Sequence, residues 1–176
     1  YQDLTAQIPA ECDQSAIAVW ELAPSGAQVD WVECEVEGGH TEYLPGINLP
    51  RSMSATSHLS EALDGASQVY LAISSQALRQ NLKAVRPLLS GSDAPVVSLM
   101  KGVEKRTGLR MSQVIEQELH CDPARIAVAS GPNLALEIAR EQPTAAVISS
   151  TSRETAEAVA LRARNAYFRT FVNTDV

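Results

Sequence analysis

Short apolar runs that alternate with amphipathic stretches predict an α/β fold, with a mostly parallel sheet and helices on both of its faces. Three observations carry that prediction. From about Glu42 onward the two kinds of segment take turns, with Gly, Pro and Asp punctuating the changes. The runs are apolar throughout, as strands buried on both faces are. The stretches between them repeat apolar residues every three or four positions, the period of a helix.

Before Glu42 the pattern is muddier, and residues 16–20 are the strand candidate there. Residues 68–73, which follow Asp64-Gly65, read as a buried strand rich in strand formers. A helix is expected from about Gln76 to Leu89, because Leu78, Leu82, Val85 and Leu89 share one face while Arg79, Gln80 and Lys83 take the other. Residues 95–100 form the next strand candidate and residues 111–119 the next helix. Residues 126–130 are a further strand, with Pro132 as opener of a helix through Arg140. Residues 144–149 follow as a strand, and Thr151-x-x-Glu154 reads as a capping box for a helix to about Arg164. The last strand is expected over 168–173.

Composition narrows the function classes. The chain has 176 residues, 45% of them hydrophobic and 20% charged, which suits a folded globular chain rather than a disordered one. No apolar run approaches the roughly 20 residues of a membrane helix, so no membrane span is expected. Residues 1–10 contain no Lys or Arg, so no secretory signal is expected. The net charge of −7 argues against a nucleic-acid or anionic-membrane partner. Cys12, Cys34 and Cys121 are odd in number and far apart, and read as reduced thiols of a cytoplasmic protein. His40, His58 and His120 are equally scattered, nothing resembles H-E-x-x-H or G-x-S-x-G, and no metal site is expected.

In open parallel sheets the ligand sits beyond the carboxyl ends of the strands. That rule selects Ser74-Ser75-Gln76, Lys101-Gly102 and Ser130-Gly131-Pro132-Asn133. A lysine at such an end can donate to a phosphate or carbonyl oxygen, and Gly102 permits close backbone approach. Ser130–Asn133 combines a hydroxyl, a glycine and an amide at an expected helix start, which suits an anionic or polyhydroxyl ligand. Tyr43-Leu-Pro-Gly-Ile-Asn-Leu-Pro50 is rigid, with two prolines and a glycine.

Taken in order, Tyr43-Leu-Pro-Gly-Ile47, Leu49-Pro50, Ser75-Gln76-x-Leu78-Arg79, Lys101-Gly-Val-Glu104, Thr107-Gly108, Met111-Ser112, Ser130-Gly-Pro-Asn133-x-Ala135-x-Glu137-Ile138-Ala139, Pro143-Thr144-Ala145, Ile148, Phe168-Arg169 and Asp175-Val176 follow one pattern. It resembles the nucleotide-binding domain of NAD(P)-dependent glycerol-3-phosphate dehydrogenases, from about Glu42 to the end. The resemblance implies a Rossmann-like, doubly wound fold and hydride transfer between a nicotinamide cofactor, NAD or NADP, and the pair sn-glycerol 3-phosphate and dihydroxyacetone phosphate. It implies that Lys101 lies where cofactor and substrate meet and stabilises developing negative charge on oxygen. It places Gly131 and Asn133 against the substrate, and Ala135, Ser75 and Gln76 along with Lys101 at the cofactor. It also implies a homodimer in the intact parent.

Three departures accompany the resemblance. Ile73-Ser74 stands where Val-Pro is more usual. Before Tyr43 the glycines are Gly26, Gly38 and Gly39, and no arrangement of them gives the G-x-G-x-x-G turn of a dinucleotide site. The acidic stretch 30–37 would repel a pyrophosphate, so residues 1–41 are expected to be an atypical segment in place of the usual strand, turn and helix. Residues 42–176 are expected to form the nucleotide-binding domain, without the helical substrate domain that carries the family's general acid/base lysine. Two other expectations stay open: a non-catalytic binding module derived from that family, whose support is the missing glycine turn, and a sister dehydrogenase acting on another small acid or alcohol.

Overall fold

The computed structural model describes residues 17–20, 45–47 and 58–176. The elements in chain order are strand β1 (Ile17–Trp20), helix α1 (Leu59–Leu63), β2 (Gln68–Leu71), α2 (Leu78–Leu89), β3 (Val96–Ser98), α3 (Met111–Leu119), a 3₁₀ turn (Pro123–Arg125), β4 (Ile126–Ser130), α4 (Ala135–Ala139), β5 (Thr144–Ser150), α5 (Arg153–Ala163) and β6 (Phe168–Asn173). They build a six-stranded sheet in the order β1-β2-β3-β4-β5-β6. Strands β1 to β4 run parallel, β5 runs antiparallel to β4, and β6 runs parallel to β5. The sheet is therefore mostly parallel, as expected, with one reversal that the strand pattern did not disclose.

Alternation along the strands sorts the core onto two faces. Val69, Leu71, Val96 and Ile126 face one way, where Leu78, Leu82, Val85 and Leu89 of α2 and Val114 and Ile115 of α3 pack on them. Leu78, Leu82 and Ile115 are fully buried, so the four-and-three spacing of α2 meets the sheet as its sequence requires. Tyr70, Val97, Ala127 and Ile148 face the other way, against Ala156, Val159 and Ala160 of α5. Helices thus cover both faces. A smaller cluster of Ile138, Ala146 and Phe168 seats α4 beside the β5–β6 pair.

Two helix starts differ from expectation. The helix proposed to open at Pro132 begins at Ala135, because Leu134 is extended at φ −112 and ψ 124. Ser130-Gly131-Pro132-Asn133 is therefore a loop between strand and helix, and not a helix start. Helix α5 is capped by Ser152, whose hydroxyl accepts from the Thr155 N–H, and not by Thr151. Strand β1 matches the candidate at 16–20 in its described residues. The remainder of the atypical segment 1–41 and most of the rigid segment 43–50 lie outside the described residues, apart from the turn at 45–47.

Among the described residues no helix is long and apolar enough to cross a membrane. No three His, Cys, Asp or Glu side chains gather there as a metal would require. Cys12, Cys34 and His40 lie outside the described residues. Cys121 is a free thiol, half-buried, and burial raises its pKa.

Candidate functional site

Because β2, β3 and β4 are parallel, their carboxyl ends share one edge of the sheet. The loops leaving those ends carry the residues that sequence reasoning singled out. Lys101 extends from the loop after β3, and its Nζ donates to the Gly131 carbonyl oxygen at 2.8 Å. The lysine side chain is otherwise exposed, so the remaining ammonium N–H donors stay available. That bond ties together the loops that leave two paired strands, thirty residues apart in sequence.

Gly131 is fixed by close approach. A Cβ built on it would lie 2.6 Å from the Ala145 carbonyl oxygen and 3.2 Å from the Ala146 Cα, because antiparallel β5 passes directly beside it. The same Cβ would lie 3.1 Å from Asn133 Nδ2, so the Asn133 amide rests on the glycine. Asn133 Oδ1 is buried and accepts no hydrogen bond from the described residues. A buried acceptor in that state favours a donor brought by a ligand or by another part of the chain. Ala135 is buried at the first turn of α4, two residues farther along.

Gln76 and Ser75 precede α2. The Gln76 Nε2 donates to the Val103 carbonyl oxygen at 2.9 Å and to Ser75 Oγ at 3.2 Å, while its Oε1 accepts from the Lys105 N–H at 3.0 Å. The amide is thus spent at both ends, on the loop that carries Lys101.

That loop is anchored further by Arg79, which helical periodicity had assigned to a polar outer face. Its Nε and Nη2 grip both carboxylate oxygens of Glu104, at 2.8 and 2.9 Å. Its Nη1 donates to Glu118 Oε1 on α3 at 2.6 Å, and its Nη2 also reaches Gln117. The Glu104 side chain is only 12% exposed. Hydrogen bonding from Arg79, and then from Thr107, holds its carboxyl down at about 2. The Arg79 guanidinium is raised above its ordinary value by hydrogen bonds to Glu104 and then Glu118. Backbone bonds complete the anchor: Glu104 N–H donates to Leu109 O, and Gly108 N–H donates to Glu104 O. Val103 forms an antiparallel bridge with Arg110. Gly102 takes φ +95, a left-handed conformation that lets the chain turn just after Lys101.

The structure therefore brings Ser75, Gln76, Lys101, Gly131 and Asn133 to one edge through direct contacts, and Ala135 through the chain. Sequence reasoning missed that Arg79 and Glu104 tie this edge together. No sequence pattern marked this, because helical period does not set how far a long side chain reaches into a neighbouring loop.

A family model described as the NAD-dependent glycerol-3-phosphate dehydrogenase N-terminus matches residues 10–156. The glycerol-3-phosphate dehydrogenase [NAD(P)+] of Leifsonia xyli subsp. xyli is 60% identical over 162 residues, which are 91% of this chain and 42% of that protein. The protein of the same name from Frankia casuarinae is 51% identical over 163 residues, 88% of this chain and 48% of its own length. The chain spans less than half the length of these curated relatives. Among solved structures, the Coxiella burnetii glycerol-3-phosphate dehydrogenase superposes with a TM-score of 0.73 at 28% identity, over 80% of this chain and 42% of that one. The Plasmodium falciparum glycerol-3-phosphate dehydrogenase superposes at 0.71 with 24% identity, over 80% of this chain and 39% of that one, a likeness of fold.

Proposed function

Because the chain belongs to the NAD-dependent glycerol-3-phosphate dehydrogenase family, we propose that its strand-end edge is the active-site half of an enzyme interconverting sn-glycerol 3-phosphate and dihydroxyacetone phosphate. The observation that carries this reading is that Lys101 Nζ donates to Gly131 O, two residues before Asn133, whose buried Oδ1 has no hydrogen-bond donor among the described residues. A cationic donor and a neutral acceptor offered by one strand-end edge suit a small ligand bearing both a carbonyl or alkoxide oxygen and a hydroxyl. The donor set also fits the amide-bearing ring of a nicotinamide cofactor, NAD or NADP, which supplies or accepts the hydride when bound. The segment 1–41, which would have to meet the cofactor's pyrophosphate, lies outside the described residues apart from β1.

Each residue then has a task. Lys101 directs an N–H at the substrate oxygen and stabilises the negative charge that grows there on reduction, a contribution that is strong because the dipole is already in place. Gly131 keeps the β4 end thin enough for close approach. Asn133 Oδ1 accepts from a substrate hydroxyl and fixes its orientation. Ala135, Ser75 and Gln76 line the cofactor side, with Gln76 acting through the loop it holds. Proton transfer belongs to a lysine of the helical domain that follows in family members.

The domain arrangement is part of the same proposal: residues 1–41 form an atypical opening that contributes β1 to the sheet, 42–176 the rest of the nucleotide-binding domain, and a helical substrate domain docks against it. Val147 and Phe171, which are register partners on β5 and β6, support this. They are 38% and 53% exposed on the face turned away from α5, whereas Thr170 and Val172 point toward α5. The enzyme so assembled is a cytoplasmic homodimer.

Titration of the purified chain with NADH and NADPH, followed by nicotinamide fluorescence, tests the reading. Saturable binding that Lys101→Ala weakens is the expected result. No binding at millimolar cofactor would favour a non-catalytic module, the reading that Gly26, Gly38 and Gly39 support by failing to form a G-x-G-x-x-G turn.

A further inference from the structure

We propose that Arg79, together with Gln76, is a positioning residue for Lys101: the two side chains, Gln76 just before α2 and Arg79 in its first turn, set the height of the loop that delivers the lysine to Gly131. That Lys101 is the group worth positioning rests on the function proposed above.

The loop 101–109 has no regular structure beyond one bridge, yet each part of it is held. Gln76 takes the Val103 carbonyl and the Lys105 amide, so it fixes both sides of Glu104. Arg79 takes both oxygens of Glu104 in a forked, charge-assisted contact whose direction as well as distance is set. The same guanidinium is locked to Glu118 on α3, and α3 is packed into the core through Val114 and Ile115. The path from core to lysine is therefore short: α2 and α3 hold Arg79, Arg79 holds Glu104, and only Val103 and Gly102 separate Glu104 from Lys101. Gly102 at φ +95 is the one soft joint, and Gln76 braces the residue after it.

An exposed ion pair would position little, because solvent and side-chain freedom compete with it. Here Glu104 is 12% and Glu118 16% exposed, and the guanidinium serves two carboxylates and a glutamine at once. A lysine in place of Arg79 keeps the charge and loses the fork.

The experiment is trace acetylation of the purified 176-residue chain, with Lys101 quantified against Lys83 by peptide mass spectrometry. A lysine tied to a carbonyl is less open to the reagent and acylates slowly; release speeds it. In Arg79→Met the Lys101 to Lys83 ratio should rise about threefold or more, the scale of one lost hydrogen bond, and Arg79→Lys should fall between. Gln76→Ala removes an exposed side chain, leaves the core intact, and should move the ratio the same way by less. Lys83 is exposed and normalises for reagent, and far-UV circular dichroism of each variant reports any global loosening. A flat ratio in folded Arg79→Met overturns the proposal; if that variant does not fold, a flat ratio in Gln76→Ala does so. No cofactor enters the readout, so failure to bind nicotinamide counts against the function alone.

Discussion

Gly131 and Ala145 stand so close that no side chain fits between them: a Cβ on the glycine would meet the Ala145 carbonyl oxygen at 2.6 Å. Backbone sits on the far side of that contact, so the clash cannot be relieved by turning a side chain. Gly131→Ala should therefore destabilise the fold by about 1–3 kcal/mol, the usual cost of overpacking, as urea unfolding would measure. Because β4 must move to accommodate it, the Lys101 contact should loosen too. A variant as stable as the parent would mean that β5 gives way freely.

Lys101 is the cation at the strand-end edge that holds the β4 carbonyl. In a full-length glycerol-3-phosphate dehydrogenase carrying this domain, Lys101→Ala should lower kcat/KM at least a hundredfold, or about 2.7 kcal/mol of transition-state stabilisation. A loss below about threefold would remove Lys101 from the reacting centre.

Acid should act on the fold through Glu104. Its carboxyl is held at about 2 against an ordinary 4.5, so the folded state binds its proton less readily than the unfolded one. The stabilisation is complete above about 4.5 and is lost as pH falls from there toward 2. Thermal unfolding across that window should show a steeper decline for the parent than for Glu104→Gln. Parallel slopes would show that the Arg79 contact gives no pH-linked stability.

Val147 and Phe171 form an exposed apolar pair on the bare side of β5 and β6. The isolated chain should self-associate through it, and Phe171→Ser should shift sedimentation toward the monomer. A parent chain that is already monodisperse and monomeric would show that the pair drives no self-association.

Much of this fold was legible because buried parallel strands are written as unbroken apolar runs. Residues 126–130 and 168–173, and the helix at 111–119, fall where the pattern put them. The reversal at β5 was not legible, since an apolar run looks alike whichever way its neighbour runs, and the segment at 131–143 read as an ordinary crossover. The strand-end rule selected Lys101, Gly131 and Asn133 without knowledge of their contacts. It could not find the work of Arg79, because periodicity says which face a residue leaves from and nothing about how far a long side chain reaches. Loop 101–109 has no period at all, so its anchoring partners appear only in three dimensions.

The register of the last strands carries one more consequence. Ser130, the final residue of β4, is level with Val147, yet β5 begins three residues farther out at Thr144, with Phe168 of β6 alongside. At roughly 3.3 Å per residue the pair overhangs the edge by about 10 Å. The rim at the strand ends is consequently a stair rather than a shelf, with Lys101 and Asn133 on the lower tread and the β5–β6 ribbon as the riser. Whatever lies on that tread meets β5–β6 backbone on one flank and not on the other, so the two flanks of the Lys101 edge are not equivalent.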